Sequence, residues 1–106
     1  SPEGMASVVL TKEVLERFQA TDQLASLVVS VPGTVEGILA WSMYVEQEDE
    51  TFRVHLRSKG PTVNDIAQEF GGGGHTLACG IPSVTKSQIL EVDAKLKEAV
   101  RNFKKN

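Results

Sequence analysis

The chain has 106 residues, 41% of them hydrophobic, and this supports one globular core but not two. Its formal net charge of −3 and pI of about 5.3 exclude a global positive field, so any nucleic-acid contact must rest on a local basic patch. The single cysteine, Cys79, excludes an internal disulfide and a thiolate metal site, while the lack of any apolar run near the roughly 20 residues of a membrane span makes the cytoplasm the expected location.

Residues 1–5 carry no pattern and are expected to be a linker or an expression remnant, with residues 6–106 forming a single domain. Residues 6–10 read as a short strand, after which Thr11 caps a helix whose apolar Val14, Leu15 and Phe18 share a face. A second helix opens at Thr21 or Asp22, buries Leu24, Leu27, Val28 and Val31, and stops at Pro32-Gly33. Residues 37–46 then form a long strand that is apolar on both faces, as a central strand should be. Leu39, Trp41, Met43 and Val45 are expected on one face, and Ile38, Ala40 and Tyr44 on the other.

The acidic stretch 46–50 turns this strand into a hairpin with residues 51–58. There the alternation is clean: Phe52, Val54 and Leu56 face one way, and Arg53, His55 and Arg57 the other. Positive charge is therefore concentrated on one side. A solvated outer face accounts for Arg53 and His55, which are the weaker site candidates. Arg57, Ser58 and Lys59 stand instead at a strand end, in Arg57-Ser58-Lys59-Gly60, where side chains and backbone N–H groups can converge on a ligand.

Pro61 and Thr62 open another helix, with Thr62 and Asp65 in a capping arrangement and Val63, Ile66, Ala67 and Phe70 as its buried stripe. Four consecutive glycines, Gly71, Gly72, Gly73 and Gly74, stop it and lead into His75. Residues without Cβ let a ligand approach the main chain, their successive N–H groups form an anion nest, and His75 adds a side-chain donor. This is not a Walker A loop, because no Lys follows the glycines. Residues 77–81 form a strand in which Cys79 reads as a buried, inert thiol. A final helix, capped at Ser83 or Thr85, buries Ile89, Val92, Leu96, Val100 and Phe103, and its basic end complements the helix dipole. The expected fold is α/β (α+β), a mixed sheet flanked by helices in the order β α α β β α β α.

The ordered set of an RSK turn, a short helix, GGGGH and an apolar strand closing in Gly, RSKGPTVNDIAQEFGGGGHTLACG, resembles the signature of the DHH-associated C-terminal domain of DHH-superfamily phosphoesterases. It is most similar to the branch that hydrolyses short oligoribonucleotides and 3′-phosphoadenosine 5′-phosphate. The resemblance implies that a catalytic DHH domain in cis, absent from this chain, carries a divalent metal centre, expected to hold manganese. This domain would then bind short RNA or a phosphorylated adenine nucleotide without hydrolysing it unaided. Arg57 and Lys59 would engage phosphate, Gly72 to Gly74 would give close backbone contact, His75 would touch the phosphate or terminal nucleotide, and Asn64 is a weaker candidate beside them. No catalytic residue, metal ligand or membrane contact is expected in this chain, and the parent protein is a candidate homodimer. Two alternatives are a cyclic- or linear-dinucleotide phosphodiesterase domain and a non-catalytic RNA-binding module like the C-terminal domain of alanyl-tRNA synthetase. The confined basic patch counts against the second.

Overall fold

A computed structural model describes residues 4–17 and 37–105. Its elements are β1 (Met5–Leu10), α1 (Lys12–Arg17), β2 (Ala40–Glu46), β3 (Phe52–Ser58), α2 (Asn64–Glu69), β4 (Gly73–His75), β5 (Ala78–Val84) and α3 (Lys86–Lys105). The strands form one five-stranded sheet in the order β1-β2-β3-β5-β4. Among the described residues the β1–β2 pairing alone is parallel, so the sheet is mixed as expected. No helix among the described residues is long and apolar enough to cross a membrane. The expected second helix, and the side chains of Val14, Leu15 and Phe18, lie outside the described residues.

One face of the sheet carries the main core. Tyr44, Val54, Leu56, Ile81 and Val84 pack there against Val63, Ile66 and Ala67 around α2 and against Ile89, Val92, Leu96 and Val100 of α3. A polar node ties α3 to the parallel pair within this layer. The Asp93 carboxylate accepts hydrogen bonds from Tyr44 Oη at 2.5 Å, Ser42 Oγ at 2.8 Å and Ser7 Oγ at 2.8 Å. Burial, reinforced by that bond to a carboxylate, pushes the Tyr44 hydroxyl pKa above its ordinary value. On the other face Trp41 and Met43 form a smaller cluster with Ala6, Val8, Leu10, Ile38 and Val45.

Several boundaries differ from the sequence reading, for local reasons. Gly4 O accepts from Leu39 N at 2.6 Å and β1 starts at Met5, so the folded part reaches into the stretch expected to be a linker. β2 begins only at Ala40, after Gly37 turns at φ +92°, and the expected alternation does not extend back through Leu39. Leu39 packs with Ala40 and Tyr44, and Ile38 with Trp41, the reverse of the expected faces. At α2 the cap is Val63 with no side-chain bond, so the Thr62 and Asp65 arrangement does not form. At α3 the cap is Thr85 in a reciprocal box: Gln88 N donates to Thr85 Oγ1 at 3.3 Å and Thr85 N to Gln88 Oε1 at 2.8 Å. β5 continues through Pro82, which lies beyond the end of β4 and beside a bulge against β3, where a missing N–H is tolerated. Phe103 is 46% exposed and not part of the core stripe.

Asp93→Ala should destabilise the chain by about 1–3 kcal/mol, because the buried Tyr44 hydroxyl loses its short bond to the carboxylate and keeps only the long contact to Ile89 O at 3.4 Å. Leu90→Ala, at a residue 76% exposed on the same helix, should stay within about 0.5 kcal/mol in the same urea-unfolding measurement.

Candidate functional site

The site begins with the alternation of β3. Its even positions from Phe52 to Leu56 enter the core, and this turns Arg53, His55 and Arg57 to the opposite face. The antiparallel register then builds rows across the sheet. Arg57 pairs with Ala78, and Ala78 with His75; His55 pairs with Gly80, and Gly80 with Gly73. Directly paired residues share a face. Arg57 and His75 therefore stand on one side of the sheet, two strands or about 10 Å apart, over a floor of Ala78 and Gly80 too small to fill the gap. The trough runs toward His55 and Gly73.

Two backbone bonds hold the trough together. Ser58 N donates to Leu77 O and Val63 N to Thr76 O, both at 2.9 Å. They fasten the Thr76-Leu77 turn, which joins β4 to β5, onto the end of β3 and the start of α2. The RSKG turn and the glycine run thus meet through main-chain bonds. The Arg57 guanidinium is aimed by Nη1, which donates to Leu56 O at 2.9 Å and Cys79 O at 3.2 Å. Nε and Nη2 of its planar fork are not used in those bonds.

The glycines divide by role. Gly71, at φ +87°, and Gly72 close α2 in a Schellman motif: Gly72 N donates to Ala67 O at 2.8 Å and Gly71 N to Gln68 O at 3.3 Å. Those two amides are committed to the helix end, so the expected run of free anion-binding N–H groups is shorter than the sequence suggests. A Cβ at Gly72 would also lie 2.1 Å from Gly80 O, and one at Gly74 2.8 Å from Cys79 Cα. Gly73 is different. A Cβ there would meet nothing within 4 Å, and its row places it on the open face. Packing within the described residues gives no reason for glycine at this position.

The other candidates separate in the same way. Ser58 pairs with Ala40 on the core side, and its Oγ donates to Pro61 O at 2.5 Å and accepts from Gly60 N at 3.0 Å, so it braces the turn. Lys59 is exposed at the turn, with its N–H donating to Leu39 O at 2.7 Å. A Cβ at Gly60 would lie 2.4 Å from Cζ of Phe103, an exposed ring that would have to swing aside. Asn64 opens α2, half-buried, and its Oδ1 is buried without a hydrogen-bond partner among the described residues. Cys79 is buried, and burial raises its thiol pKa while Arg57 acts the other way. Burial, then the charges of Arg57 and Arg53, hold the His55 imidazole below its ordinary pKa. Sequence reasoning missed the floor, Ala78 and Gly80, although the alternation of small residues in Ala78-Cys79-Gly80 was the available signal. No group of three or more His, Cys, Asp or Glu among the described residues is placed to hold a metal ion.

Comparison with known proteins shows the family of the chain. The DHHA1 domain family matches residues 5–102. A "probable bifunctional oligoribonuclease and PAP phosphatase NrnA" of Streptococcus mutans is 36% identical over 98 residues, 92% of this chain and 32% of that protein. The "bifunctional oligoribonuclease and PAP phosphatase NrnA" of Bacillus subtilis is 46% identical over 80 residues, 76% of this chain and 25% of its own length. The crystal structure of an "exopolyphosphatase-related protein" from Bacteroides fragilis superposes with a TM-score of 0.75 at 26% identity, over 97% of this chain and 30% of that one. The chain thus spans about a third or less of the length of these relatives. With the match running from the first residue of β1 nearly to the end of α3, the chain belongs to the DHHA1 domain family.

Proposed function

We propose that this chain is the substrate-binding domain of a metal-dependent phosphoesterase acting on short oligoribonucleotides, 3′-phosphoadenosine 5′-phosphate, or both. The observation that carries the reading is the row Arg57–Ala78–His75, in which a guanidinium and an imidazole flank a small-residue floor on an open face. Arginine suits this place because its fork can hold two phosphate oxygens at once. His75, exposed at the end of β4, can donate to the same phosphate or to a base edge. Gly73 and Gly80 let a ribose or base lie close to the main chain. Lys59 adds charge at the rim.

Hydrolysis belongs, in this reading, to a DHH domain in cis that holds the divalent metal, expected to be manganese. The described residues offer no cluster to hold such an ion, and none is assigned to it. This domain contributes position: it grips one end of the substrate so that the scissile bond is presented in a fixed geometry, where an error of ~1 Å is costly. A cytoplasmic setting and a homodimeric parent protein complete the proposal.

Arg57→Ala should weaken binding of a 5′-phosphorylated adenine dinucleotide at least tenfold by calorimetry at low salt; unchanged affinity removes Arg57 from the site. Gly73→Val separates ligand contact from folding. The substitution should leave the urea midpoint nearly unchanged, because open space surrounds the position, while reducing dinucleotide affinity at least tenfold. Equal binding by wild type and Gly73→Val would mean that the trough is not the contact surface.

A further inference from the structure

Beyond the Arg57 and His75 row, the same face continues along β3 toward Arg53. A shallow depression of about 270 Å³ lies there, lined by Arg53, Val54, His55, Gly80, Ile81 and Pro82. It forms where the β3–β5 ladder shifts register between Phe52 and Val54, so that Pro82 and Ser83 face Arg53 without regular pairing. A bulge of this kind opens the sheet surface and re-aims side chains. The Lys95–Glu69 ion pair between α3 and α2 involves neither Arg53 nor Arg57. Two guanidinium-bearing residues thus flank an imidazole on one strand, and among the described residues no carboxylate forms a salt bridge with either.

We infer that Arg53 and His55 form a second phosphate subsite, contiguous with the first, which recognises two phosphates separated by one nucleoside. The inference rests on the substrate-binding reading above and specifies its ligand. Alternate residues of a strand stand roughly 7 Å apart, close to the separation of phosphates on either side of one ribose. A phosphate at Arg57 and His75 would therefore put its neighbour over His55 and Gly80, within reach of Arg53. Gly80 in the floor of the trough and Gly73 at its far side from His55 leave room for the intervening sugar.

Docking of that second phosphate has a protonic consequence. Arg53 and Arg57 face His55 from its own strand; β2 opposes it with Met43, β5 with Gly80, and His75 is the remaining titratable group on this face of β4 among the described residues. Surrounded by cations and half-buried, the free imidazole stays neutral near pH 7. An anion between the guanidinium groups reverses the local potential, so His55 takes up a proton as the ligand binds, and affinity rises as pH falls toward 6.

The test compares AMP, adenosine 3′,5′-bisphosphate and the 5′-phosphorylated dinucleotide pApA by calorimetry on this chain, as wild type and as the double variant Arg53→Gln/His55→Gln. Wild type should bind at least one two-phosphate ligand tenfold or more tighter than AMP. The double variant should keep its urea midpoint, and its ratio of two-phosphate to AMP affinity should fall to less than threefold. An advantage confined to pApA identifies an RNA strand as the source of the second phosphate; one shared by the bisphosphate identifies the nucleoside bisphosphate unit itself. In parallel, the His55 Hε1 resonance should titrate at least one pH unit higher with saturating two-phosphate ligand, and not with AMP. AMP binding without a two-phosphate advantage, or an advantage that survives the double substitution, overturns the second subsite and leaves the first intact. Failure of all three ligands to bind at millimolar concentration overturns both.

Discussion

Everything proposed for this domain depends on how the Thr76-Leu77 turn is fastened. The two amides that hold it, Ser58 N and Val63 N, come from within the RSKG turn and from just after it, and their acceptors, Leu77 O and Thr76 O, are consecutive carbonyls. β4, only three residues long, lies at the edge of the sheet. Side-chain packing supplies little of its attachment, because two of its three residues are glycine. Main-chain bonds at the turn, the Schellman closure of α2 and the close approach of Gly72 to Gly80 together determine where His75 stands. Shifting the turn would separate His75 from Arg57 without disturbing the core beneath.

The sheet divides its labour between its faces. The face toward α2 and α3 is dry and supplies stability, with Asp93 as the polar fastening between α3 and the β1–β2 pair. The other face is apolar at β1 and β2, basic at β3 and nearly bare at β5 and β4, where Ala78, Gly80 and Gly73 carry little or no side chain. This gradient lets a chain with a net charge of −3 present a local cationic trough. In the proposed function it suits a short phosphorylated ligand better than a long duplex, since the charge is confined to a few residues on one strand and its neighbours.

Much of this was legible from residues whose chemistry repeats with a period. The strict alternation from Phe52 to Arg57 specified both faces of β3, and the spacing of Ile89, Val92, Leu96 and Val100 specified the buried stripe of α3. What was not legible follows from physical causes. β4 has almost no side chains to show a period, so a glycine run expected to be a loop is partly a strand. The faces of Ile38 and Leu39 were reversed because alternation was extended past the true start of β2. Ser58 looked like a ligand donor, but its parity on β3 sends it to Pro61 O. The division of the glycines into those closing a helix and the one facing open space depends on three-dimensional neighbours that no sequence period encodes.

The most direct measurement is an amide chemical-shift titration of the ¹⁵N-labelled chain with a 5′-phosphorylated adenine dinucleotide at low salt. Perturbations should cluster on β3 from Arg53 to Ser58, on Gly73 to His75 and on Ala78 to Gly80, leaving the solvent face of α3 silent. Perturbations centred on α3, or none at millimolar ligand, would contradict the account that the glycine-floored face is where this domain holds its substrate.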